Sequence, residues 1–129
     1  MVLDIQADEL PKDITLIIFH RQDKSRIAAR LFIDELSKKG YMTKHAVSEF
    51  ASKLSGGETI WHNAKFSYSR KNFYAVVLRR LLTLSCVTYE SNYTRGKLAE
   101  GYWLDLNGFL KLLKRIAERW KNEFPQGVV

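Results

Sequence analysis

The chain has 129 residues, 46% of them apolar and 27% charged, which is enough to bury one core without staples and too apolar for a disordered protein. Its net charge of +7 fits a polyanionic partner, either nucleic acid or an acidic membrane. That charge is uneven: Asp4, Asp8, Glu9 and Asp13 against Lys12 give residues 1–13 a net of −3, leaving +10 on residues 14–129. The opening segment reads as a solvated acidic arm and the rest as the basic body. Cys86 is the only cysteine, so an intrachain disulfide and a cysteine-rich metal site are excluded. Within a strand-like run it reads as a small core residue rather than a nucleophile. No signal-peptide pattern is expected at the N-terminus, and "ITLIIF" is too short to span a bilayer; the default expectation is a cytoplasmic protein that does not enter membranes.

In chain order, "DITLIIFH" (Asp13–His20) follows the break at Pro11 and suits either a short strand or the first turns of a helix. The helical segments after it, and Asp13 as a cap, favour helix. "SRIAARLFIDELSKKG" is a clearer helix, with Ser25 as N-cap and a stripe of Ile27, Ala28, Leu31, Phe32 and Leu36. It ends at Lys38–Lys39–Gly40. After the short "YM", Thr43 caps a second helix, "KHAVSEFASKL", whose buried face is Val47, Phe50, Ala51 and Leu54. "SGGE" breaks the chain, and "TIWHNAKFSY" reads as irregular, with Trp61 and Phe66 anchoring it to the core. A third helix is expected from Ser69 or Arg70 to about Leu82.

Two strand-like runs follow, "LSCVTYES" and "KLAEGYWLDL", joined by "NYTRGK" as a β-hairpin. In the second run Tyr102, Leu104 and Leu106 share one face, with Trp103 and Asp105 on the other. Asn107 is the expected cap of a last helix, "GFLKLLKRIAERWKNEF". There Phe109, Leu113, Ile116, Trp120 and Phe124 form a seam that suits a second protomer, or folds back on its own domain.

Helix–helix–helix followed by a β-hairpin, spanning Ser25 to Leu106, resembles the winged helix-turn-helix family of nucleic-acid-binding domains. The strongest local match is "YSRKNFYAVVLRRLLTLSCVTYE" leading into a basic-tipped hairpin and "GYWLDL". The resemblance implies an α+β, mostly helical fold in which the third helix enters the major groove and the hairpin, or wing, touches backbone or minor groove. The connection from Ser55 to Ser67 is longer than the family's tight turn. The implied division is an arm at 1–13, a winged-helix domain at 14–106 and a C-terminal helix at 107–129 for packing or dimerisation.

At 100° per residue, Phe73, Tyr74, Val77, Leu78 and Leu81 of the third helix point inward. Lys71, Asn72, Ala75 and Arg79 gather opposite them, with Tyr68 and Arg70 at the approach. Such a face offers amide and guanidinium groups to base edges and cations to phosphates, and the helix N-terminus adds free N–H groups. Arg80, near the boundary, suits the DNA backbone. At the hairpin tip Arg95 and Lys97 flank Gly96 and can reach phosphate or a narrow minor groove. Each feature also has a plainer account, a solvated basic face and a charged turn.

His20, His45 and His62 lack metal-ligand spacing, and "SGGET" lacks the Gly-Lys-Ser/Thr ending of a phosphate loop. No carboxylate is paired with a base for catalysis. The expectation is therefore a non-enzymatic binder of double-stranded DNA, without cofactor or metal, acting as a transcriptional regulator. The alternative is a winged helix used for protein contact in a replication, transcription or RNA-processing assembly, docking through Tyr89, Tyr93 and Trp103.

Overall fold

The computed structural model describes residues 14–92 and 99–124. The acidic arm, Asp13 as a cap, and the hairpin tip with Tyr93, Arg95 and Lys97 lie outside them. The fold is α+β and mostly helical, with a small antiparallel sheet. A single turn, α1 (Thr15–Ile18), precedes α2 (Asp23–Lys39), a two-residue strand β1 (Met42–Thr43) and α3 (Lys44–Ser55). Strands β2 (Thr59–Trp61) and β3 (Ala64–Phe66) pair with each other. A continuous helical stretch, α4, then runs through Arg70–Asn72, Phe73–Leu78 and Arg79–Thr83. Strands β4 (Val87–Asn92) and β5 (Ala99–Leu104) and a final helix, α5 (Leu106–Glu123), complete the order.

Helix α2 begins earlier than its sequence signal. Gln22 occupies the cap position without a side-chain bond, whereas Ser25 lies inside the helix with its hydroxyl 2.8 Å from the Tyr68 hydroxyl. Ser25 is thus a tertiary partner and not a cap. Gly40, at φ 73°, ends the helix in the left-handed conformation and sends its N–H to the Leu36 carbonyl, a geometry that costs glycine nothing. Thr43 caps α3, its hydroxyl accepting from the Ala46 N–H at 3.0 Å.

The sheet has the order β1-β5-β4. Met42 and Thr43, too short a run to show a period, supply β1: Met42 pairs with Tyr102 and Thr43 with Gly101. Gly101 is required there, because a Cβ would meet the Tyr41 ring and lie 2.7 Å from the Met42 carbonyl oxygen. Pairing of Val87 with Leu104 and Tyr89 with Tyr102 sets the β4–β5 register, so the expected hairpin is present. Its inward face is shorter than the alternation suggested: Tyr102 is buried, but Leu104 is exposed and Leu106 has already entered α5.

The segment expected to be irregular is a hairpin. Trp61 pairs with Ala64 across a two-residue turn in which His62 and Asn63 have φ of 49° and 65°. Two successive positive φ values give the turn twist that hairpins favour, usually with glycine, which this turn lacks. Phe66 packs against the core, but Trp61 stays outside it and sets its ring against His62. The core lies between α2, α3, α4 and the sheet, where Phe32, Leu36, Val47, Leu54, Phe73 and Leu81 have no accessible surface. Phe32 and Phe73 meet edge to face at 5.2 Å.

Candidate nucleic-acid interface

Ser69 starts α4, its hydroxyl accepting from the Asn72 N–H at 3.2 Å, which satisfies one of the orphan donors of the first turn. From Phe73 to Leu78 the helix is π-type, and the Arg79 N–H reaches back five residues to the Tyr74 carbonyl. The wider turn changes the stepping of side chains, yet the division of faces holds. Phe73, Val77, Leu78 and Leu81 are buried and Tyr74 half-buried, whereas Lys71, Asn72, Ala75 and Arg79 are all exposed.

Three expected site residues are engaged elsewhere. Tyr68 is only 8% accessible and faces Ser25, so it supports α4 from beneath. Arg70 folds back on α3: one terminal nitrogen donates to the Ser48 carbonyl at 2.8 Å and the Ser52 hydroxyl at 2.9 Å, the other to the Ser48 hydroxyl at 2.9 Å. Its guanidinium also lies 5.4 Å from the Tyr74 ring centre, so the fork fixes the crossing of α3 and α4. Arg80 does the same toward α1, donating to the Ile18 carbonyl at 3.3 Å and the Gln22 side chain at 2.6 Å while covering the Phe19 ring. A cation there completes the carbonyl end of a one-turn helix.

These clamps leave Lys71 and Asn72 as the polar groups projecting from the first turn of α4. Ala75 and Arg79 lie further along, on the wall of a groove of about 660 Å³ between α1, α4 and the start of α5. The sequence signal missed the supporting role of the α3 serines. Ser48 and Ser52 stand four apart on one helix face, the spacing that lets a single guanidinium reach both.

At the sheet, the Tyr89 hydroxyl donates to Glu100 at 2.7 Å, and Lys44 reaches the same carboxylate at 3.3 Å. The hydrogen bond to Glu100 pushes the Tyr89 phenol up to about 12 and, with Lys44, lowers the Glu100 carboxyl. Trp103, half-buried, sets its ring 5.7 Å from Tyr41. Cys86 is half-buried, and burial raises its thiol pKa.

Asp105, not Asn107, caps α5. Its carboxylate accepts from the Gly108 N–H at 2.8 Å and the Thr88 hydroxyl at 2.6 Å, and these bonds, that from Thr88 foremost, lower its pKa. Its N–H also bonds the Cys86 carbonyl, so one residue fixes the direction in which α5 leaves the sheet. Phe109 is half-buried, but every residue from Leu113 to Phe124 is exposed. Among the described residues none buries Ile116, Trp120 or Phe124, whereas Leu113 lines a groove with α1 and α4.

Among the described residues no helix is long and apolar enough to cross a membrane, and no three His, Cys, Asp or Glu side chains converge as a metal site. Comparison with protein-family profiles, with curated proteins and with solved structures gives no match.

Proposed function

We propose that this chain is a winged-helix domain that binds duplex DNA through the outer face of α4, with the β4–β5 hairpin as its wing, and that it serves as a transcriptional regulator. The observation carrying this is the split of α4: an inner face packed through Phe73, Val77, Leu78 and Leu81, and an outer face that presents Lys71 and Asn72 at its free end. The order of helices, with a strand between α2 and α3 joining the hairpin, supports the fold reading, and the +10 charge of residues 14–129 supports a polyanion.

In this account Asn72 makes a bidentate contact to adenine and Lys71 binds phosphate. Ala75 permits close approach, and Arg79, beside the groove, meets the DNA backbone at the margin of the contact. Arg70 and Arg80 set the pose of the helix rather than reading sequence, although the part of each that faces solvent adds to the positive field. Arg95 and Lys97 of the wing supply further phosphate contacts.

The test is binding to random-sequence duplex across a salt series. A steep fall in affinity as salt rises is expected, with a slope of about −0.9 per phosphate neutralised. Absence of binding at low salt would reject the DNA reading in favour of a protein partner.

A further inference from the structure

The helices of this protein differ in where their counter-charge comes from. On α2, Arg30 meets Asp34 at 3.3 Å and Lys39 meets Glu35 at 3.1 Å; on α5, Arg119 meets Glu123 at 2.8 Å. Helix α4 has no such arrangement. From Arg70 to Thr83 it carries Arg70, Lys71, Arg79 and Arg80 and no aspartate or glutamate. Among the described residues no carboxylate pairs with any of these four cations. Arg70 and Arg80 give their hydrogen bonds to neutral oxygens. Like charges gathered on one element repel, and an acid brought among them lowers that energy.

Acids stand together elsewhere in the sequence. Asp4, Asp8, Glu9 and Asp13 are four of the chain's 14 acidic residues, all in the segment that leads into Ile14 and α1. Where that segment joins the described structure decides which surface it meets. Arg80 donates to the Ile18 carbonyl of α1 and covers the Phe19 ring, so the junction is pinned beside the last turns of α4. From Arg79 back to Lys71 the helix rises about 12 Å, whereas the chain from Ile14 back to Asp4 spans up to about 33 Å. The segment reaches the whole outer face with length to spare. The cations of α5 share their helix with Glu118 and Glu123, so the uncompensated positive field nearest the junction is that of α4.

We propose that residues 1–13 dock along the outer face of α4, Asp13 nearest Arg79 and Asp4 nearest Lys71, and that duplex DNA must displace them to bind. The competition rests on the DNA reading of α4; the docking itself does not. The positive pole of the helix dipole at the Lys71 end favours a carboxylate there. Weak charge pairs suffice because the contact is intramolecular, with an effective concentration on the order of millimolar for so short a tether. Exposed pairs of this kind are screened by salt. The docked segment therefore opposes DNA most strongly at low salt. Salt releases the segment as well as weakening the DNA contact, so the native chain loses affinity less steeply than a chain whose segment is neutral.

The test uses the full chain and begins without DNA. With Cys86→Ser and Gln6→Cys, a nitroxide on residue 6 marks where the segment lies, read as loss of nearby amide signals in the NMR spectrum. The signals of Lys71, Asn72 and Ala75 should fade. They should recover when Asp4→Asn, Asp8→Asn and Glu9→Gln leave only Asp13 against Lys12, a net charge of zero on the segment. The same three substitutions, without the label, should raise affinity for random-sequence duplex roughly five- to tenfold at low salt, the worth of three exposed charge pairs. The two chains should converge as salt rises. Fading centred on α5 or on the corner between α1 and α2, no fading on α4, or fading that survives neutralisation would overturn the docking. Equal affinities for duplex at low salt would overturn the competition. Fading on α4 with no duplex bound by either chain would uphold the docking and reject the DNA reading.

Discussion

Helices α4 and α5 are both amphipathic, both carry several cations, and both follow or precede a strand of the same sheet, yet the fold treats them in opposite ways. In α4 the apolar face is used up: Phe73, Val77 and Leu81 have no accessible surface, and Arg70 and Arg80 tie it to α3 and α1. In α5 no residue is buried. Amphipathic spacing states that a helix needs an apolar partner, but not whether that partner lies in the same chain. Where the core supplies the partner, the polar face is left to meet something else; where it does not, the apolar face is.

The comparison breaks most visibly on a charge placed in each apolar face. Val77→Asp buries an uncompensated carboxylate and should cost about 4 kcal/mol or more, enough to unfold a domain of ordinary stability. Ile116→Asp, measured by urea unfolding at concentrations too low for association, should change stability by less than about 0.5 kcal/mol. Similar losses at the two sites would mean that α5 is packed in the monomer after all.

The clamps come next. Arg80→Ala should cost about 1.5 kcal/mol, the low end for hydrogen bonds from a charged donor, because the site is only half-buried. Arg79→Ala, one position earlier and exposed, should stay within about 0.5 kcal/mol. Circular dichroism melts of the two variants give the comparison, and equal melting temperatures would remove the structural role assigned to Arg80.

Asp105 sharpens the account of how α5 is aimed. Loss of the cap in Asp105→Ala should cost about 1 kcal/mol at neutral pH. The folded pKa is lowered below the unfolded value, so the carboxylate's contribution is complete above the ordinary aspartate value of about 3.9 and is lost as pH falls through the folded value. Native protein and Asp105→Asn should therefore differ in urea midpoint at pH 6 and converge in strong acid. A gap that persists there would place the effect outside this ionisation.

Much of the helical frame was legible in the sequence because its signals are local. Gly40 and Thr43 act at the positions where they end and begin helices, and the buried stripe of α3 follows its period. Ser25 and Asn107 misled for the opposite reason. Each is a plausible cap by composition, but Tyr68 and Gly108 lie where other arrangements win, and Asp105 is held by Thr88 from another strand. The β2–β3 hairpin was hidden by a turn of His62 and Asn63 without glycine, and β1 by its two-residue length. At the candidate site the exposed face of α4 was readable from its spacing. That Arg70, Arg80 and Tyr68 serve packing was not, since their partners are 22, 62 and 43 residues away in sequence.

In the function proposed, α4 reads bases with its free face while its other face holds the fold. Selection of bound sequences from randomised duplexes, by the native protein and by Asn72→Ala, tests it most directly. The native protein should enrich a preferred sequence, and the variant should lose adenine at one position, worth roughly 1–3 kcal/mol of discrimination, while keeping its melting temperature and most of its affinity for random duplex. No enrichment by the native protein, or an unchanged preference in Asn72→Ala, would contradict the account.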